Sequence, residues 1–262
     1  MLESIVLGSI QGITEWLPIS SEGMVVLAKV NLFGSGLNIT DLISYALFLH
    51  LGTFFAALIY FRKEVINLLK SSLFYKKSDL ETKKQLKFYF LATLFSAFIG
   101  LLVLLLLSKI KGGENITGKG ITLIVGVMLW ITAFLQLKRK NKGLRGFADL
   151  RISDGVLLGV VQGFSILPGL SRSGITVSTF LLRKFDENKA LKMSFIMSLP
   201  AVLGGNILLN MERFSFSLEN ILAFLFSFLL GLLTIHLLLK IAKNNIGMLF
   251  ISQLTQVLSI EM

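Results

Sequence analysis

Leu7-Gly8-Ser9-Ile10-Gln11-Gly12-Ile13-Thr14-Glu15-Trp16-Leu17-Pro18-Ile19-Ser20-Ser21-Glu22-Gly23 has a second version at an offset of 151 positions, Leu158-Gly159-Val160-Val161-Gln162-Gly163-Phe164-Ser165-Ile166-Leu167-Pro168-Gly169-Leu170-Ser171-Arg172-Ser173-Gly174. The LG, QG and S-x-x-G elements coincide at that offset, and only the proline is displaced, by one position. Both copies are apolar on average, yet proline, glycine and polar residues interrupt them where a plain membrane span would run on unbroken. A repeated, broken apolar segment is the mark of membrane proteins built from internal repeats, in which interrupted helices meet and form the site.

The surroundings of the two copies fit that frame. The chain has 262 residues, of which 54% are hydrophobic and 16% charged, with a mean hydropathy of +0.78. Soluble domains carry about 25% charged residues, so this composition cannot clothe a water-facing surface. Five stretches are long and apolar enough to cross a hydrocarbon core: approximately Leu42 to Phe61, Phe88 to Leu107, Ile121 to Leu137, Phe195 to Met211 and Leu218 to Leu239. A sixth, Ile246 to Ile260, is short and holds Gln253 and Gln256. The expected fold is therefore an all-α integral membrane protein of about six transmembrane helices plus two re-entrant helical hairpins. It reads as one membrane domain over residues 1–262, with repeat 1 at about 1–137 and repeat 2 at about 152–262.

Charge sets the orientation. Arg62, Lys63, Lys70, Lys76, Lys77, Lys83, Lys84 and Lys87 crowd one loop, and Lys138, Arg139, Lys140, Lys142, Arg145 and Arg151 crowd the loop 138–151, so both are expected to be cytoplasmic. The loop between them, with Lys109, Lys111 and Lys119, then faces outward. Ile152 to Leu182 starts from the cytoplasmic loop and is followed by Arg183, Lys184, Lys189 and Lys192, a second basic group. A segment that enters and returns keeps both groups inside. By the same logic Ile5 to Val30 enters from the outside, and the repeat is inverted. The net charge of +11 thus reports topology and contact with anionic lipid heads, not nucleic-acid binding, because the basic residues lie in short loops. Met1 to Val30 lacks a basic leader and carries Glu3, Gln11, Glu15 and Glu22, so no cleavable signal peptide is expected.

With no cysteine and only His50 and His236, thiolate chemistry is absent and a zinc site is disfavoured. Both hairpin turns end in small residues that let the backbone approach a ligand, and helices starting there present free N–H groups to an anion. Arg172 is the arginine of the apolar segments, and its fork suits bidentate binding of phosphate. Glu15 is the acid deep in a membrane segment, a position that is costly and so functional by default. Acid, arginine and serines converging from two hairpins describe a site for a phosphate ester or phosphorylated lipid.

QGITEWLPISSEG (residues 11–23) and LPGLSRSG (167–174), with Leu51-Gly52-Thr53, resemble the signature motifs of the undecaprenyl pyrophosphate phosphatase family, which is linked to bacitracin resistance. The resemblance implies removal of one phosphate from a polyprenyl (undecaprenyl) diphosphate to recycle the lipid carrier for the cell envelope. The protein would sit as a multi-pass protein in the plasma membrane, with the substrate and surrounding lipids as partners and a homodimer left open. It also implies a divalent cation, Mg²⁺ or Ca²⁺. Carried over to this chain, Ser21, Glu15 and Arg172 become catalytic. Ser20, Gly23, Ser171, Ser173 and Gly174 bind the phosphates, and Glu15 with Gln11 holds the cation. Two positions depart from the pattern. Gln11 replaces the usual first glutamate and Met24 the usual histidine, so position 24 supplies no base or nucleophile. Glu22 is a further acid at the tip that could replace the charge lost at position 11.

The expected mechanism has Ser21 attacking the terminal phosphorus, Glu15 accepting its proton or holding the cation, and Arg172 with hairpin N–H groups stabilising the phosphoryl oxygens. A transporter or flippase for a phosphorylated lipid would use the same site without hydrolysis. Plainer roles also exist for each element: Ser20 and Ser21 could cap a helix or bond carbonyls, and Gln11 and Gln162 could bind the repeats together. His50 reads as a neutral histidine bonded across helices, and His236, Trp16 and Trp130 as packing or interface residues.

Overall fold

The computed structural model describes residues 1–34, 39–108, 118–137, 143–210 and 217–243. These are helical: α1 (Leu2–Thr14), α2 (Ser21–Leu32), α3 (Ile39–Tyr60), α4 (Arg62–Leu73), α5 (Leu80–Ser108), α6 (Gly118–Leu137), α7 (Ile152–Gly163), α8 (Arg172–Leu182), α9 (Glu187–Asn210) and α10 (Leu218–Lys243). Among the described residues the extended structure is confined to an isolated bridge between Arg145 and Phe185.

Among them, α3, α5, α9 and α10 are the four helices long and apolar enough to cross a membrane. The expected span at Ile121 to Leu137 coincides with α6, whose apolar stretch, Lys119–Phe134, is shorter. The expected span at Ile246 to Ile260 lies outside the described residues, as do Lys109, Lys111 and the start of the basic loop 138–151. At 29 residues and about 1.5 Å per residue, α5 is longer than a hydrocarbon core of about 30 Å, so its lysine-bearing first turns run beyond the apolar part.

The two sequence copies form the pairs α1–α2 and α7–α8, each a helix, a tight turn and a second helix. The matched glycines explain how they dock. A Cβ at Gly8 would stand 2.3 Å from the Ala223 carbonyl oxygen and one at Gly12 2.8 Å from that of Ser227, so α1 lies backbone-close on α10. A Cβ at Gly159 would stand 2.6 Å from the Ala92 oxygen and one at Gly163 3.0 Å from that of Ser96, so α7 lies in the same way on α5. The packing is crossed: the first copy rests on the last described helix, and the second copy on a helix of the first half.

A core around Trp16, Phe61, Phe195, Leu199 and Ile235 joins α9 and α10 to the first turn. Trp16 is buried there and donates its indole N–H to the Gly231 carbonyl at 2.9 Å, whereas Trp130 is exposed and stacks on Phe134. At one end of α7 the buried Asp154 carboxylate accepts from Arg145 Nη2 at 2.7 Å, Arg183 Nε at 2.8 Å and the Arg151 N–H at 2.9 Å. Two unlike-signed neighbours and a backbone donor make burial of that carboxylate tolerable, and they clamp residues 145–151 to the far end of α8.

Candidate active site

The helix that the first motif begins ends at Thr14, and Glu15 is its C-terminal cap. Five residues on, Ser20 adopts extended dihedrals and its Oγ accepts the Gly23 N–H at 3.1 Å, starting α2. Ser171 repeats this at the equivalent position of the second copy, accepting from the Gly174 N–H at 3.0 Å to start α8. The S-x-x-G shared by the copies is thus a helix N-cap whose fourth residue supplies the capped amide.

The two turns interlock. Gly169 N–H donates to Ser20 Oγ at 3.1 Å, Ser171 Oγ to the Ile19 carbonyl at 3.0 Å, and Ser173 Oγ to the Leu17 carbonyl at 2.7 Å. From α6, Thr132 Oγ1 accepts the Ser171 N–H and donates to the Gly169 carbonyl, both at 3.1 Å. Gly169 has φ +97°, and a Cβ there would lie 2.6 Å from the Val125 carbonyl oxygen, so glycine alone fits. Of the five residues expected on phosphate, Ser20 and Ser171 are therefore caps, Ser173 is tied to the opposite turn, and Gly23 and Gly174 give the capped amides. The N-terminal N–H groups of α2 and α8, at Ser21, Glu22, Arg172 and Ser173, have no acceptor within their helices.

This junction gathers the charged groups. Glu15 is 4% exposed and central. Its Oε2 accepts from Ser21 Oγ at 2.7 Å and from Gln11 Nε2 at 2.8 Å, and Arg172 Nη2 pairs with Oε1. Arg172 Nη1 and Gln11 Oε1 are buried without a partner. The Gln11 amide orientation follows from chemistry, because its oxygen turned toward the carboxylate would set acceptor against acceptor.

His50, on α3, completes the group. Its Nδ1 lies 2.8 Å from the Ala46 carbonyl oxygen and its Nε2 3.2 Å from Glu15 Oε2. A carbonyl only accepts, so Nδ1 carries hydrogen and Nε2 faces the carboxyl group. His50 is bonded across helices as expected, but its partner is the acid of the motif, and with hydrogen already on Nδ1 it donates to an ionised Glu15 as a charged ring, not as the neutral one expected. Nothing in Leu49-His50-Leu51 signals this, since no spacing rule links position 50 to position 15. Gln162, the repeat partner of Gln11, instead donates to Ser96 Oγ at 3.2 Å and to the Met197 carbonyl at 3.4 Å.

Glu15, Ser21, Glu22, His50, Arg172 and Ser173 face a cavity of about 210 Å³ whose remaining wall is mostly apolar side chains of α3, α5 and α9. Among the described residues no three histidine or carboxylate side chains are grouped so as to hold a metal ion by themselves.

A serine, a carboxylate and an arginine at the meeting point of two helix tips, beside an apolar cavity within a bundle of membrane-length helices, define a helical membrane protein with a buried charged centre. The chain belongs to the bacitracin resistance protein BacA family, whose model matches residues 4–255. It is 40% identical over 249 residues to a protein of Methanococcoides burtonii named undecaprenyl-diphosphatase, with 92% of this chain and 91% of that protein covered. Proteins of the same name from Methanothrix thermoacetophila and Haloarcula marismortui are 36% and 35% identical, each with 93% of this chain and 90% of the relative covered.

Proposed function

We propose that this protein hydrolyses a polyprenyl diphosphate, undecaprenyl diphosphate in the first instance, to the monophosphate and phosphate, recycling the lipid carrier as a multi-pass protein of the plasma membrane. The observation that carries the reading is the 2.7 Å contact of Ser21 Oγ with Glu15 Oε2, beside an arginine that has a buried N–H group to spare. A transport site needs the arginine but not a hydroxyl poised on a carboxylate.

In this reading the terminal phosphate lies against Arg172 and the N-terminal amides of α2 and α8. Ser21 Oγ attacks the terminal phosphorus, its proton passes to Glu15, and the bridging P–O bond breaks, its electron pair leaving with the lipid monophosphate. Glu15 hands that proton to the departing phosphate oxygen and is ionised again; water then hydrolyses the phosphoserine with Glu15 as base, and the proton it takes returns to Ser21 Oγ as the P–O bond to serine breaks and phosphate leaves. Arg172 and the amides meet the charge that grows on the equatorial oxygens. His50 acts through Glu15: held by Ala46, it fixes the carboxyl group toward Ser21, a positioning role that needs no histidine at position 24.

A divalent cation fits as a companion of the diphosphate, not as a resident ion. Gln11 Oε1 is a buried acceptor without a partner, and Glu22 stands on the cavity wall; Glu15 already has several donors and would serve as a ligand only by releasing one. Bound there with phosphate oxygens, Mg²⁺ or Ca²⁺ would neutralise diphosphate charge. For the fold, the equivalent glycine packing and serine caps of the two pairs support an inverted repeat of re-entrant hairpins, with Ile246 to Ile260 as a further span.

The test is phosphate release from a long-chain polyprenyl diphosphate by detergent-purified protein, with and without Mg²⁺ or Ca²⁺, beside Ser21→Ala, Glu15→Ala and Arg172→Ala. Release that disappears in all three variants is expected. Full activity of Ser21→Ala would remove it as nucleophile, and no release by folded wild-type protein would overturn the reading.

A further inference from the structure

The cavity is walled on one side by α5, through Ala97 and Leu101, and on the other by α9, through Pro200 and Leu208. These same four residues are exposed on the outside of the bundle, Leu101 at 44% and Leu208 at 64%. A residue that lines an internal cavity and the outer surface at once stands at an opening. The outer surface here is the apolar flank of two membrane-length helices, so the opening faces the lipid phase.

Glycines keep it wide. A Cβ at Gly204 would meet nothing within 4 Å, and one at Gly100 only the Gly163 carbonyl oxygen at 3.8 Å. The glycines of α1 and α7 behave in the opposite way, since a Cβ at Gly8, Gly12 or Gly159 would strike a neighbouring backbone. Gly100 and Gly204 both line the cavity and are not required for close helix packing; what they leave is room between α5 and α9. One end of this seam is the Glu15–Arg172 pair, and its walls carry no titratable group on α5 or α9. Such a slot matches one chemistry: an anionic head with a long apolar chain leaving sideways.

We propose that the seam between α5 and α9 is a lateral port through which the isoprenoid chain of the lipid diphosphate runs from the cavity into the bilayer, with Gly100 and Gly204 setting its width. The inference rests on the reading that the diphosphate head sits at Arg172, and it assigns chain-length specificity to these two glycines.

The experiment compares Gly204→Phe and Ala97→Phe, one from each wall, with Gly126→Phe, which adds the same bulk to α6 where a Cβ also meets nothing within 4 Å. Each is assayed on a long-chain polyprenyl diphosphate and on short geranyl diphosphate, and for binding of a long-chain polyprenyl monophosphate. The two seam variants are expected to lose about tenfold or more in kcat/KM on the long chain, a change of about 1.4 kcal/mol, while activity on the short one stays within about twofold. Gly126→Phe should change neither. Equal loss on both substrates, or no loss on the long one, overturns the port. If wild-type protein hydrolyses neither substrate, the proposed function falls, and the binding arm still decides: weaker monophosphate binding by the seam variants supports the port, and unchanged binding overturns it.

Discussion

Glu15 and Arg172, 157 positions apart, meet as an ion pair where the turn of the first sequence copy touches the turn of the second. The two copies are unequal partners in this contact. Ile166 occupies the place of Glu15 in the second copy, and Arg172 the place of Ser21. One repeat brings the acid and the hydroxyl, the other the cation, and the site exists only where they join.

Arg172 has a second task besides pairing with Glu15, because its Nη1 is buried without a partner. Arg172→Lys keeps a positive charge and loses the forked donor. Its kcat should fall by about 10²-fold, the usual cost of one lost transition-state donor, with the protein still folded by gel filtration and thermal melting. Activity within twofold of wild type would assign Arg172 to structure.

The neighbouring serines should separate cleanly. Ser21→Ala is expected to abolish phosphate release with little change in melting temperature. Ser20→Ala removes a helix cap that also receives the Gly169 N–H, and should cost about 1 kcal/mol or more of stability while leaving measurable turnover. Measuring both properties on both variants checks the assignment; the reverse pattern would exchange the two roles.

His50→Gln retains a side chain that can donate to Glu15 but not the tether to Ala46. We expect kcat to drop by about tenfold, or about 1.4 kcal/mol in barrier, with KM little changed, and His50→Leu to lose more. A KM effect without a kcat effect would place His50 on the substrate instead.

Gly169→Ala puts a Cβ into the Val125 carbonyl at a backbone angle that side chains rarely adopt. A loss of about 1–3 kcal/mol is expected, read as a lower melting temperature in detergent. Gly126→Ala, in open space on α6, should be neutral or slightly stabilising. Equal effects of the two would mean that the turn is not held as described.

Much of this was legible in the linear chain. The offset between the copies carried both the matched glycines and the matched caps, because each is a local demand of a helix on its own backbone and neighbour. The convergence of Glu15, Ser21 and Arg172 was expected from charge in an apolar setting, and the structure places them together. The pairing of His50 with Glu15 was not found, since its approach depends on how α3 packs beside the first turn, a tertiary fact with no periodic trace. Nor could spacing tell that Ser20, Ser171 and Ser173 are tied into the turns, or that α7 would choose α5. Helix pairing of this kind follows from small-residue surfaces, and several helices of this chain carry them.

The crossed docking of α1 on α10 bears on how such a chain is made. Trp16 finds its carbonyl partner 215 positions later in the chain, so during synthesis the indole of the first copy waits for α10. A product that stopped before Arg172 would hold Glu15 without its cation, and one that stopped before α10 would hold Trp16 without its acceptor. Assembly therefore draws on both halves: the second copy brings the cation to the acid, and α10 then closes the glycine face on which the first copy rests.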